Sequence, residues 1–126
     1  MNEQQFKART KKLALRVIRL VETLPKGIVA EVIGKQIMRS ATSVGANYRA
    51  ACRGRSDAAM IAKLDIVLEE VDETLFWLEL LIESGLIPAT RLADLMAETN
   101  EITSMIIASL KTLRAKSHSP QHSPSN

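Results

Sequence analysis

The sequence has few of the residues from which catalytic and metal sites are built. Its 126 residues include one cysteine and two histidines, and both histidines, His118 and His122, fall in the last nine positions. An internal disulfide, a Ser-His or Cys-His catalytic pair and a helical di-iron centre are therefore excluded. No glycine-rich phosphate loop is present either. A single cysteine is typical of a protein in the reducing cytoplasm. We expect Cys52 to act as a small apolar residue that is buried or half-buried.

Aromatic residues and long apolar runs are also scarce. Aromatics make up 3% of the chain, and Asn-Gly and Asp-Gly turns are absent, so signals for β-strands are weak. Arg16 and Arg19 interrupt the first apolar segment, which argues against a signal peptide. No apolar run approaches the roughly 18 residues that a membrane helix needs. We expect a cytoplasmic protein with no membrane contact.

The residues that are present have helical spacing. Apolar residues make up 46% of the chain, and Leu13, Val17, Leu20 and Leu24 form one apolar stripe of a first helix. Turn and capping residues divide the chain into four helices. The predicted helices run from about Glu3 to Leu24, from near Ile28 to about Arg53-Gly54, from an N-cap at Ser56 to Ser84-Gly85, and from a start after Pro88, with Thr90 as the candidate cap, to about Lys116.

Short loops between these helices predict an all-α, up-down-up-down antiparallel four-helix bundle over residues 1–116. A three-helix core with the first helix detached is the alternative. Residues 117–126 read SHSPQHSPSN and carry no apolar anchor, so we predict a disordered tail.

A polar seam runs along the second helix. Its members recur at steps of four, three and four, so they share one face, and small residues surround them. This pattern predicts close helix packing, with the polar groups bonded inside the bundle and Asn47 setting the packing register. The seam consists of Gln36, Ser40, Ser43 and Asn47.

Charge is distributed unevenly along the chain. Residues 1–26 carry a net charge of +5, residues 27–55 carry +4, and residues 56–85 carry −7, although the whole chain carries only +3. Charged helix faces are either solvated or contact a partner. The excess of positive charge in the first 55 residues favours a partner, either a polyanion or another subunit. The predicted nucleic-acid-binding residues are Arg9, Lys12, Arg16 and Arg19 on the first helix and Lys35, Arg39, Arg49 and Arg53 on the second. The predicted acidic face of the third helix consists of Asp65, Glu69, Asp72, Glu79 and Glu83.

The third helix is apolar around most of its circumference near its end. Leu75, Leu78 and Ile82 would suffice for the core, which leaves Trp77 and Leu81 on a second stripe. This arrangement predicts a homo-oligomer with Trp77 and Leu81 at the interface. The alternative is that Trp77 covers the core of a single chain.

These features resemble a known family. The residues Gln36, Arg39-Ser40, Ser43 and Asn47-Tyr48-Arg49, together with the third-helix segment KLDIVLEEVDETLFWLELL, are similar to the four-helix-bundle proteins encoded in intervening sequences of bacterial 23S ribosomal RNA genes. The resemblance covers about residues 6–116 and implies a four-helix bundle, often a ring-shaped homopentamer with a basic surface. Relatives include the accessory protein of diversity-generating retroelements, which associates with reverse transcriptase and nucleic acid.

One position departs from the family's pattern. The family usually has a glutamate three residues after the asparagine, and this chain has Ala50 there. The resemblance therefore implies that Arg39 or Arg49 lacks an ionic partner and is free to contact solvent or phosphate.

The predicted function is non-enzymatic binding, without a cofactor, of RNA, DNA or a ribonucleoprotein partner through the basic faces of the first two helices. One alternative is a structural or protein-interaction module whose charge asymmetry drives self-assembly. A weaker one is a Mg-dependent all-α nucleotide pyrophosphohydrolase, in which acidic pairs on neighbouring helices hold the metal. Its candidate motifs are Glu69-Glu70-x-x-Glu73 and Glu98-x-x-Glu101.

Overall fold

A computed structural model describes residues 2–117 and shows an all-α four-helix bundle, which confirms the predicted fold class. The predicted tail lies outside the described residues except for Ser117, the last residue of the fourth helix. No helix in the described part has an apolar stretch that could cross a membrane. The helices are α1 (Glu3–Glu22), α2 (Ile28–Cys52), α3 (Asp57–Glu83) and α4 (Ala89–Ser117).

Local capping residues set most helix ends. Asn2 and Gln5 form a capping box at the start of α1, and the Ser56 hydroxyl accepts a hydrogen bond of 3.1 Å from the Ala59 amide, as predicted. Gly85 ends α3 with φ of 81°, a left-handed conformation that favours glycine. The prediction for Thr90 is wrong, because α4 already begins at Ala89 and Thr90 lies inside its first turn.

Each helix packs against two neighbours, in the order α1, α2, α3, α4 and back to α1. The pair α1–α4 makes the sparsest contact of the four. Phe6, Leu13 and Val17 of α1 are nevertheless buried in the common core, so α1 belongs to the bundle and the alternative with a detached first helix is wrong.

Small residues of α2 allow α1 to approach closely, as the sequence predicts. A Cβ atom added at Gly45 would lie 3.4 Å from the Thr10 hydroxyl and 3.6 Å from the Thr10 backbone. One added at Gly34 would lie 3.3 Å from Val21 Cγ1. A methyl group at Gly45 would therefore make ordinary van der Waals contact with α1, and one at Gly34 would require the Val21 side chain to shift by a few tenths of an ångström. Side chains larger than alanine at these two positions would crowd α1.

Candidate nucleic-acid interface

A basic groove runs between the outer sides of α1 and α2. Lysines at positions 7 and 11 are four residues apart and share one face of α1, and Arg49 faces them from α2. The groove has a volume of about 550 Å³. Its lining, which we call the basic groove, consists of Gln4, Lys7, Ala8, Lys11, Lys12, Leu15 and Arg49.

Most of the positive charge in the basic groove is not neutralised by the protein. Within residues 2–117, Lys11, Lys12 and Arg49 form no ion pair, and Lys7 pairs only with Glu3 at 3.2 Å, one turn earlier on the same helix. Both partners of that pair are partly exposed, so the pair contributes about 0–1 kcal/mol and can exchange with another anion.

Lys12 and Arg49 belong to the predicted site, whereas Lys7 and Lys11 were missed. The i, i+4 spacing of these two lysines was visible in the sequence. Their convergence with Arg49 was not visible, because it depends on how α1 lies against α2.

Arg9, also predicted to bind nucleic acid, instead joins α1 to α4. Its Nε and Nη2 atoms donate to the Glu98 carboxylate at 2.7 and 2.8 Å, and Nη2 donates to Glu101 at 2.5 Å. The guanidinium is the main reason that the pKa of Glu98 lies below its usual value. Since the Arg9 side chain is only 19% exposed, it contributes little to the outer basic surface.

Arg39 is likewise engaged, in this case between α2 and α3. Its guanidinium donates to Glu70 at 3.2 Å and to Glu73, and the Trp77 indole N–H donates to the same Glu73 carboxylate at 3.0 Å. Hydrogen bonds first from Arg39 and then from Trp77 lower the pKa of Glu73. The expectation that Ala50 leaves Arg39 without a partner is therefore wrong, whereas Arg49 has no ionic partner within residues 2–117.

The other predicted cations are dispersed. Arg16 and, more weakly, Lys12 lie close enough to Glu98 to contribute to the lowered pKa of that carboxyl, although neither forms an ion pair with it. Lys35 pairs with Glu31 at 3.7 Å on its own helix. Arg19 and Arg53 are exposed and lie outside the basic groove.

Among residues 2–117, the polar seam makes a single hydrogen bond between helices, at Ser40. Thr74 of α3 donates to the Ser40 hydroxyl at 2.9 Å, Ser40 donates to the Ile37 carbonyl at 3.2 Å, and both side chains are fully buried. Asn47 is half-buried and donates at 2.9 Å to the Ser43 carbonyl of its own helix. Among the seam residues, Ser40 therefore bonds to α3, whereas Asn47, which we had expected to set the packing register, bonds within its own helix.

Ser40→Ala removes the hydrogen bond from Thr74 and the bond to the Ile37 carbonyl of its own helix, while Thr74 keeps the Glu70 carbonyl at 2.8 Å as an acceptor. We expect the free energy of unfolding to fall by about 1 kcal/mol. Urea unfolding measures this change. Thr42→Ala is the matched control, since Thr42 is exposed on the same helix and its hydroxyl donates only to backbone carbonyls of that helix. Equal losses in the two variants would contradict a role for Ser40 between the helices.

The family model for 23S rRNA-intervening sequence proteins matches residues 2–108. The chain belongs to this family. A solved relative, a protein of unknown function from the S23 ribosomal protein family of Bacteroides thetaiotaomicron, is 36% identical, with a TM-score of 0.78. The alignment covers 88% of the present chain and 99% of the relative. No curated protein matches the chain.

Membership of the 23S rRNA-intervening sequence family confirms the resemblance inferred from the polar seam and the third-helix segment. The matched region contains the whole basic groove and the Ser40–Thr74 bond. The name refers to ribosomal RNA genes and assigns no activity.

The two acidic motifs of this family member do not converge on one site. Glu70 and Glu73 bond to Arg39 of α2, whereas Glu98 and Glu101 bond to Arg9 of α1. No cluster of three acidic, histidine or cysteine side chains that could hold a metal ion occurs within residues 2–117. The geometry therefore lends no support to the pyrophosphohydrolase alternative.

The predicted interface residues of the third helix differ in burial. Leu81 is fully buried in the core of the single chain, so its assignment to a subunit interface is wrong. The reason is that α3 directs Leu78 and Leu81 together into the core, where we had expected Leu75, Leu78 and Ile82. Trp77 is half-buried against the core, and its neighbour Phe76 is 49% exposed with the two ring centroids 5.0 Å apart.

Proposed function

We propose that this protein of the 23S rRNA-intervening sequence family binds nucleic acid, as RNA, DNA or part of a ribonucleoprotein, through the basic groove. The observation that supports this proposal is the convergence of Lys11, Lys12 and Arg49, none of which has an ionic partner within residues 2–117. Cations that line one groove without internal partners attract phosphates, and their binding releases the counterions condensed on the nucleic acid.

The groove is suited to the backbone of a nucleic acid rather than to its bases. Its lining contains no aromatic side chain on which a base could stack, and Leu15 is its one large apolar residue. Lysine and arginine contacts to phosphates fix position without reading sequence. We therefore propose weakly sequence-specific, salt-sensitive binding by a non-enzymatic protein.

Fluorescence anisotropy of structured ribosomal RNA, single-stranded RNA and duplex DNA at several salt concentrations tests the proposal. The logarithm of the affinity is expected to fall linearly with the logarithm of the salt concentration. Lys11→Glu with Arg49→Glu is expected to weaken binding by about tenfold or more at low salt and to reduce the salt slope by about two.

The matched control is Lys63→Glu with Lys111→Glu. These lysines lie on α3 and α4, are exposed and form no ion pair within residues 2–117. The control therefore has the same net charge as the Lys11→Glu, Arg49→Glu variant but leaves the basic groove unchanged. Equal weakening in the two variants would show that net charge, and not the groove, determines affinity. Absence of binding to all three probes at low salt would exclude the proposed function and leave a protein partner or self-assembly as the use of the charge.

A further inference from the structure

A cavity lies at the end of the bundle where α1 begins. Its volume is about 390 Å³, and a neighbouring cavity of about 250 Å³ shares part of its lining, so the two form one cleft. All four helices line the larger cavity, but Glu3 is its only lining residue from the described part of α1. We call the two together the end cavity; they share Glu3, Tyr48, Ala108 and Ser109.

The floor of the end cavity is apolar and belongs to the core of the bundle. Ala51 and Leu64 line it and are 1% and 2% exposed, and Leu113 packs against the same core. Concave sites with an apolar floor and a few polar groups are typical binding sites for small organic molecules. An apolar void of roughly 150 Å³ is large enough for benzene, so the end cavity has room for two fused rings.

Polar side chains surround this floor, and one of them is charged. Burial first, then the neighbouring Cys52 and the charge of Glu3, raise the pKa of the Tyr48 phenol, and burial raises the pKa of the Cys52 thiol. Both groups are therefore uncharged at neutral pH. The Glu3 carboxylate is the one charged group that lines either cavity within residues 2–117. The polar side chains of the larger cavity are Glu3, Tyr48, Cys52, Ser109 and Thr112.

The Glu3 carboxylate is accessible to a ligand. Its side chain is 56% exposed, and its one ion pair among the described residues is with Lys7, at 3.2 Å. Lys7 lines neither cavity. Exposed pairs of this kind are weak, so a ligand cation whose apolar part is buried at the same time can replace Lys7.

These groups are complementary to an aromatic amine in its ammonium form. An ammonium group has three N–H donors, which match the Glu3 carboxylate and the hydroxyl oxygens of Tyr48 and Ser109. Aromatic rings attract cations, and thioethers make favourable contacts with aromatic rings, so Tyr48 and Met60 suit the same ligand. A carboxylate ligand would instead be repelled by Glu3.

We propose that the end cavity binds a small aromatic amine as its ammonium ion, with the ammonium group at the Glu3 carboxylate and the ring over Ala51 and Leu64. No residue of the end cavity lines the basic groove. The site is therefore independent of the proposed binding of nucleic acid, and each can be tested without the other.

NMR titration of the isotope-labelled full chain with tryptamine tests the proposal. Tryptamine carries two fused rings and an ammonium group, and we expect it to shift the amide signals of the end cavity. Indole, which lacks the ammonium group, is expected to bind about fivefold more weakly, and indoleacetate more weakly still. Glu3→Gln is expected to remove the preference for tryptamine over indole, because it removes the charge and keeps the size of the side chain.

Two serine variants locate the site. Ser109→Phe places a ring in the opening of the end cavity and is expected to weaken the binding of tryptamine by more than about tenfold. Ser104→Phe is the matched control, since Ser104 is exposed on the same helix and lines neither cavity. We expect its affinity for tryptamine to equal that of the wild type. Circular dichroism checks that both variants are folded.

Three results would overturn the proposal. The first is the absence of shifts around the end cavity with tryptamine at up to about 10 mM. The second is an equal affinity of the Ser109→Phe and Ser104→Phe variants for tryptamine. The third is a preference for tryptamine over indole that is absent in the wild type or survives in Glu3→Gln, since either would remove Glu3 as the partner of the ammonium group.

Discussion

Leu81→Ala is expected to lower the free energy of unfolding by about 2–5 kcal/mol, the largest loss of the substitutions considered. Leu81 is fully buried among the core residues of a single chain, so its truncation removes buried methyl groups and leaves a cavity that the neighbouring helices only partly fill. Urea unfolding measures the loss, at a protein concentration at which the chain is monomeric, because association adds apparent stability.

Phe76→Ala is the matched control on the same helix. Its ring is half-exposed, so we expect the free energy of unfolding to change by less than about 1 kcal/mol. A small loss of stability for Leu81→Ala would mean that the side chain contacts a partner rather than the core.

Arg9→Met is expected to lower the free energy of unfolding by about 2 kcal/mol at neutral pH. The methionine keeps the apolar stem of the side chain, but the Glu98 carboxylate, whose side chain is 21% exposed, loses its two charge-assisted hydrogen bonds. The effect is concentrated where the bundle is weakest, because α1 and α4 make the sparsest contact. Urea unfolding of Arg9→Met, Glu98→Gln and the double variant isolates the coupling between the two residues.

The same pair predicts a dependence on pH. The Arg9 guanidinium lowers the pKa of Glu98 in the folded chain below the unfolded value. The pair's contribution is therefore full above the unfolded pKa and is lost as the pH falls through the folded pKa. The stability difference between the wild type and Glu98→Gln should shrink between neutral pH and about pH 3.

Glu101→Gln serves as the control for this pair. Glu101 bonds to the same guanidinium, but its side chain is 61% exposed, so solvent screens the interaction and a smaller loss is expected. A Glu98→Gln difference that stays constant from neutral to acid pH would contradict a stabilising Arg9–Glu98 pair.

The helices, the Ser56 cap and the bundle could be predicted because they depend on nearby residues. Helical spacing of apolar residues, hydroxyl caps and glycine stops act within a few positions of the chain, and short loops then leave few arrangements. Thr90 shows the limit of this reasoning, because a residue with good capping chemistry lies just inside the helix that it was expected to begin.

The charged residues show what local pattern cannot decide. The sequence identified Arg9, Arg39 and Arg49 equally as members of a basic face. Only the packing of the helices shows that Arg9 meets Glu98, 89 residues away, and that Arg39 meets Glu70, 31 residues away. Arg49 meets no carboxylate within residues 2–117, although its own helix offered the same pattern.

The sequence by itself determined that this chain forms four helices, that two of them are basic and one acidic, and that it belongs among the 23S rRNA-intervening sequence proteins. The tertiary structure decided which charges are neutralised inside the bundle and which face outward, and whether Leu81 or Phe76 is exposed. The reason is physical: helical periodicity places a residue on a face, but the rotation of that helix against its neighbours decides what the face contacts.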